Sequence, residues 1–311
     1  MTDSANAGEL VTLALKHGGV SHLFTLNGGH IWPILTGATE HSIRIIDVRH
    51  EQSAAFAAEG WAKVTRQVGV AAVTAGPGVT NAASAIAQAQ AADSPLFVIG
   101  GRAPNARWGM GSLQEMDHVA FLQTLTKQAQ TLGSAEEAYR LAAESMRASL
   151  SGRTGPVFMD VPLDVFFGAA DMPEATEHLT ADPGASPDPD LIQRAAQLIR
   201  EAQRPSVIAG GTVWWSHAEN ELKALAEGPT FLYLSTGWPA ACCLRATRSS
   251  FLVRAAPPWA KPTSSSSSES HWISASTGGS RRCSPMTPGW SSSTLTDTAS
   301  TGLRRSPSMA T

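Results

Sequence analysis

Over its first 165 residues this chain alternates short apolar runs with Ala-rich stretches of helical length, a rhythm few folds accept. The apolar runs lie at 22–26, 42–48 (SIRIIDV), 69–74 (GVAAVT), 95–99 and 156–161. The helical stretches lie at 9–16, ending at Gly18-Gly19, and at 53–66, 81–92 and 135–150. A strand buried on both faces reads as a continuous apolar run, and helices between such strands are crossovers. The pattern predicts an α/β fold: a parallel sheet with helices on both faces.

A second unit follows a break. Residues 171–190 are rich in Pro, Ala and acidic side chains and read as a linker. Pro187-Asp188-Pro189-Asp190 then precedes an amphipathic helix at 191–202 and a strand at 205–209. Gly210-Gly211 and Trp214-Trp215-Ser216-His217 lead into a helix at 218–226. This is the expected start of a second α/β domain. The predicted division is a first domain at 1–170, a linker at 171–190, the opening of a central domain at 191–230, and an irregular tail at 231–311.

After about Pro229 the pattern is expected to stop. Residues 1–230 carry 15 Lys and Arg against 24 Asp and Glu, whereas residues 231–311 carry 8 against 2. All three cysteines, Cys242, Cys243 and Cys283, lie in the tail, with 29 Ser and Thr in 81 residues. A Ser-rich tail can be plain low complexity. The genetic code suggests something sharper, a shifted reading frame. GC-rich codons for residues 263–276, read one base earlier, give DVVVVVGVPLDFRL, a buried strand and a turn. The same shift turns residues 235–244 into NGMARGLLP and residues 284–297 into ADDARVVVVDPDG.

The acidic main part argues against nucleic acid, which needs a basic stripe. No apolar run reaches the about 18 residues of a membrane span. The start, MTDSANAGELV, lacks the basic and apolar regions of a signal peptide. The expected location is cytoplasmic, with no membrane partner.

Four motifs carry candidate chemistry. Arg49-His50-Glu51-Gln52-Ser53-Ala54 joins a strand end to a helix start, placing a carboxylate at the carboxyl edge of a parallel sheet. Alone, Glu51 could simply be a first-turn glutamate favoured by the helix dipole. Thr74-Ala75-Gly76-Pro77-Gly78-Val79-Thr80-Asn81 follows the strand GVAAVT, with glycines where the backbone turns sharply. It is neither a dinucleotide fingerprint nor a Walker A loop. Phe24-Thr25-Leu26-Asn27-Gly28-Gly29-His30-Ile31 and Gly111-Ser112-Leu113-Gln114-Glu115-Met116-Asp117 complete the set. On their own, His30 and Gln114 read as capping or loop residues.

Together, in this order, the segments resemble the acetolactate-synthase family of thiamine-diphosphate enzymes. They are most similar to its acetolactate-synthase-like and 2-hydroxyacyl-CoA-lyase branch. The matching motifs are RHE-x-x-A, TAGPG-x-TN, Q-E-x-D and GPVF-x-D-x-P at Gly155 to Pro162, and the resemblance covers about residues 8–226. It implies a pyrimidine-binding first domain, thiamine diphosphate with Mg2+ as cofactors, and a homodimer or tetramer acting on a small 2-oxo acid or acyl-CoA. Glu51 matches the carboxylate that activates the cofactor through its pyrimidine N1′. Such a group exchanges a proton near neutral pH and calls for an apolar flank, which 53–58 provide. Gly76, Pro77, Gly78 and Asn81 match the loop under the pyrimidine. Gly28, Gly29, His30 and Gln114 match positions facing the substrate.

The resemblance also sets expectations this sequence does not meet. The family holds Mg2+ and diphosphate in a third domain marked by G-D-G and, further on, Asn-Asn, and no such motif occurs here. No metal ligand is therefore assigned, and the chain is expected to be a fragment inactive alone. FAD, bound by the central domain in true acetolactate synthases, is left open. The implied reaction is carboligation of pyruvate to 2-acetolactate. The alternatives are cleavage of a 2-hydroxyacyl-CoA or a non-catalytic remnant of the fold.

Overall fold

A computed structural model describes residues 4–173, 182, 184, 186–203, 206–227 and 232–235. In chain order the elements are β1 (Ser4–Asn6), α1 (Ala7–His17), β2 (His22–Thr25), α2 (Trp32–Glu40), β3 (Arg44–Asp47), α3 (Glu51–Thr65), β4 (Gly69–Val73), α4 (Pro77–Ala91) and β5 (Leu96–Arg102). The first domain continues with α5 (His118–Leu122), β6 (Gln128–Thr131), α6 (Ala138–Leu150), β7 (Pro156–Pro162), α7 (Leu163–Phe166) and β8 (Ala169–Asp171). Beyond it come α8 (Pro189–Glu201), β9 (Ser206–Ala209), α9 (Thr212–Trp215), α10 (Glu219–Glu227) and β10 (Leu232–Ser235).

Six strands form one sheet in the order β3-β2-β4-β5-β7-β6, every neighbouring pair parallel. The central strands β4 and β7 are buried throughout, and β5 at all but its last residue. Their apolar runs are the sequence signature of that burial. One face carries α1, α2 and α6, whose Leu10, Leu15, Ile34, Ala38, Ala142 and Met146 pack against Phe97, Ile99 and Met159. The other carries α3 and α4. Ala54, Ala55, Ala58 and Ala62 of α3 and Ala82, Ala85 and Ala89 of α4 are fully buried. Small side chains let these helices approach the sheet closely. At Gly69 a Cβ would overlap the carbonyl oxygen of Ala58.

The predicted α/β class and parallel sheet are present. α4 starts at Pro77, four residues before the expected 81. Proline at a helix start loses no hydrogen bond and already has the right φ. Several elements lie outside the predicted pattern, among them α2, the short helices α5 and α7, and the edge strand β6. β6 has the sequence QAQT and is only half-buried, so it carries no apolar signal.

In the second unit β9 and β10 pair in parallel, with α9 and α10 between them. That is a βαβ crossover, and it extends the ordered pattern past the expected limit near residue 230. The later tail, including the cysteines and the Ser run, lies outside the described residues.

Candidate active site

From β2 the chain runs outward to β3, then crosses back to β4 on the other side of β2. The carboxyl ends of β2 and β4 therefore diverge, and such a switch point is where open α/β sheets form a crevice for ligands. Gly28, Gly29 and His30 follow β2, Glu51 follows β3, and Thr74 to Gly78 follow β4. Gln114 sits in the long connection after β5. Topology alone brings the four motifs to one edge.

Thr74 is the centre of contact. A Cβ at Gly28 would lie 2.5 Å from Thr74 Cβ, and one at Gly78 would lie 2.8 Å from Thr74 Cγ2. Thr74 Oγ1 donates a long hydrogen bond of 3.5 Å to Gln114 Oε1, and His30 Nδ1 lies 3.3 Å from the same hydroxyl. With Thr74 donating to Gln114, its lone pairs face His30. His30 is buried, and that burial holds its pKa below the usual histidine value, with the nearby His118 adding to the effect against a backbone hydrogen bond at Leu113. Gly29 is exposed and its missing side chain faces open space.

Glu51 opens α3, where the His50 ring caps the helix by accepting from the Gln52 N–H. The glutamate is 8% exposed. Asn81 Nδ2 donates to Glu51 Oε2 at 2.9 Å, while Oε1 has no hydrogen-bond partner among the described residues. Oε1 would lie 3.5 Å from a Cβ at Gly78, so glycine there keeps the space beside it open. Gly76 turns the chain between β4 and α4 at φ 56° and ψ −112°, in the region L residues avoid. Pro77 is exposed at the helix start.

Three participants escape the motif reading. Thr74 lies inside a quoted motif but has no assigned role there. His118 and Asp160 are both fully buried, His118 just after Q-E-M-D and Asp160 inside GPVF-x-D-x-P. The Gly76 N–H donates to His118 Nε2 at 2.8 Å, and His118 Nδ1 lies 3.2 Å from Asp160 Oδ2. Asp160 Oδ1 is 4.0 Å from Arg102, whose guanidinium stacks on Trp108. The one sequence signal that could have found this group is an aspartate inside the otherwise apolar run of β7. Among the described residues no three His, Cys, Asp or Glu side chains converge as metal ligands.

Two family models match the chain. The N-terminal TPP binding domain of thiamine pyrophosphate enzymes matches residues 5–121, and the central domain of the same enzymes matches residues 192–238. The chain belongs to the thiamine pyrophosphate enzymes. The first match spans the switch point and every motif residue around it. The second runs through β10, in agreement with the crossover. The acetolactate synthase large subunit of Mycobacterium tuberculosis is 51% identical over 225 residues, covering 71% of this chain and 41% of that protein. 2-hydroxyacyl-CoA lyase 2 of Caenorhabditis elegans is 35% identical over 240 residues, covering 66% of this chain and 37% of the relative. The Bos taurus protein of the same name is 43% identical over 162 residues, covering 52% and 26%. The chain thus spans about two fifths of the length of the first of these relatives. A buried glutamate with one oxygen held by Asn81 and the other without a partner, beside Gly78, fits the ring nitrogen of an aminopyrimidine.

Proposed function

We propose that these residues form the pyrimidine side of a thiamine-diphosphate-dependent 2-oxo-acid decarboxylase and carboligase, of the type that joins pyruvate into 2-acetolactate. The single observation that carries this is Glu51, buried at the switch point with Oε2 fixed by Asn81 and Oε1 open. Thiamine diphosphate, when bound, supplies the acidic ring carbon on which decarboxylation and carboligation depend. Glu51 would hold a proton at the pyrimidine N1′, oriented by Asn81. Gly76, Pro77 and Gly78 would let the backbone lie against the ring. His30, neutral at pH 7, would face the substrate with Gln114, Gly28 and Gly29.

A second reading has its own support. The F-T-L-N-G-G-H-I segment places His30 against Thr74, and proteins named 2-hydroxyacyl-CoA lyase 2 are among the relatives. In that reading the same Glu51 serves carbon–carbon cleavage of a 2-hydroxyacyl-CoA. Incubating the complete enzyme with pyruvate or with a 2-hydroxyacyl-CoA, and identifying the product, separates the two. Mg2+ and a homodimer or tetramer belong to either proposal, as does a cytoplasmic location, whereas FAD is an open part of the acetolactate-synthase reading alone.

The residues described supply the glutamate side only, so the 311-residue chain alone is expected to bind thiamine diphosphate weakly and to leave pyruvate unchanged. Calorimetry showing micromolar, Mg2+-dependent binding would refute that. Sequencing the DNA around codons 225–235 and downstream tests the shifted frame of the tail, which requires one base gained or lost there and a downstream frame encoding G-D-G and Asn-Asn. With a complete enzyme, Glu51→Gln should slow hydrogen–deuterium exchange at the cofactor's C2 by about 10²-fold or more. An unchanged exchange rate would remove Glu51 from the role.

A further inference from the structure

The Gly76 N–H has no place in the regular structure around it. The β4 ladder ends at Val73, and α4 begins at Pro77, which has no N–H of its own. Gly76 is buried, so water does not satisfy the group. A buried N–H left unpaired is costly, and the cost bears on a turn already held at an unfavourable φ. Its partner is His118 Nε2, at 2.8 Å.

His118 is itself held from several sides. It opens the short helix α5, whose start is fixed by Asp117 accepting from the Ala120 N–H. Its ring meets the edge of Phe158, and its Nδ1 faces Asp160 Oδ2, both residues of β7. Because Nε2 accepts from Gly76, the ring proton belongs on Nδ1, where it can be donated to Asp160. The turn after β4 is thus tied, across β5, to a fully buried strand of the sheet. The other side of Gly76 is closed by the same segment, since a Cβ there would lie 2.8 Å from the Gln114 carbonyl oxygen.

We propose that His118 is a positioning residue: by accepting from the Gly76 N–H it fixes the turn that sets Gly78 and Asn81 against Glu51. Only the purpose of the turn rests on the reading of Glu51 given above. The tie itself does not, and it is tested without cofactor.

The full chain, labelled with 15N, is studied by NMR as wild type, His118→Gln and His118→Asn. A glutamine amide oxygen reaches the place of Nε2 and keeps an acceptor for Gly76. An asparagine amide reaches only the place of Nδ1, facing Asp160. In the wild type the ring proton should sit on Nδ1, with scalar coupling across the Gly76–His118 hydrogen bond. In His118→Asn the Gly76 amide should exchange about tenfold faster or more, and the Asn81 side-chain amide signals should move toward those of a free amide. His118→Gln should keep both near wild type. The proposal is overturned if both variants change these signals equally, or if His118→Asn leaves them unchanged. If neither variant folds, the wild type decides: coupling with the proton on Nδ1 supports the tie, and a proton on Nε2 overturns it. Failure of Glu51 in the C2 exchange assay would leave every one of these outcomes unaffected.

Discussion

Gly78 is a place where steric fit and chemistry can be pulled apart. It lies in the first turn of α4, where alanine is otherwise the better residue by up to about 1 kcal/mol. The added Cβ would stand 2.8 Å from Thr74 Cγ2, too close for two carbons, yet 3.5 Å from Thr74 Cβ, an ordinary contact. Overpacking of this kind costs about 1–3 kcal/mol. Gly78→Ala should therefore destabilise the chain by about 0–2 kcal/mol after the helix gain is set against the clash. Thr74→Ser removes the offending methyl and keeps the hydroxyl that meets His30 and Gln114. In that background Gly78→Ala should be neutral or stabilising, a coupling of about 1–3 kcal/mol between the two sites. Urea unfolding of the four proteins measures it. A coupling below about 0.5 kcal/mol would show that the Thr74 methyl is not what demands glycine. The new methyl would still stand 3.5 Å from Glu51 Oε1, so relief of strain should not reopen the space beside the carboxylate.

Two further outcomes concern the scaffold. Burial holds His30, His17 and His22 below the usual histidine pKa of about 6.5, so the unfolded chain takes up these protons first as the pH falls. Their contribution to stability is full above about pH 6.5 and is lost as the pH drops through that value toward the folded ones. Urea midpoints should decline between about pH 7.5 and 5.5, less steeply in His30→Gln, and a flat or rising profile would contradict the assignment. Gly69→Ala would drive a methyl into the Ala58 carbonyl, which is backbone and cannot swing aside. Separating α3 from β4 should cost about 3 kcal/mol or more, and a urea-derived loss below about 1 kcal/mol would contradict the packing.

The sheet was legible because its central strands are buried on both faces and so must be apolar without interruption. The edges were not. β6 escapes because QAQT needs only half burial, and α2 escapes because Pro33 and Gly37 break the helical signal. The start of α4 is hidden because Gly76-Pro77-Gly78 looks like pure turn, whereas Pro77 already belongs to the helix. The candidate site divides in the same way. Glu51 and the Gly76 to Asn81 segment are local motifs, readable in one stretch of chain. His118 meets Gly76 from 42 residues away and Asp160 from another 42, so no local spacing could reveal that relay. Thr74 lies within a motif yet carries no signal of its own, because its part is to be touched from both sides.

The glycines at 28, 76 and 78 resemble one another only in sequence. Gly28 is extended, at φ −158°, and is glycine because the Thr74 side chain fills the place of its Cβ. Gly76 is glycine twice over, for its positive φ and for the Gln114 carbonyl against it. Gly78 is ordinary helix and is glycine because of one methyl and the carboxylate beyond it. These separate demands meet where the strand order reverses, so the chain around Glu51 follows a backbone path with room only for glycine at these points. Backbone in such a place is fixed by whatever satisfies its hydrogen bonds. That is why a histidine away from the motif glycines, rather than another glycine, is the residue whose loss should loosen the carboxylate's surroundings.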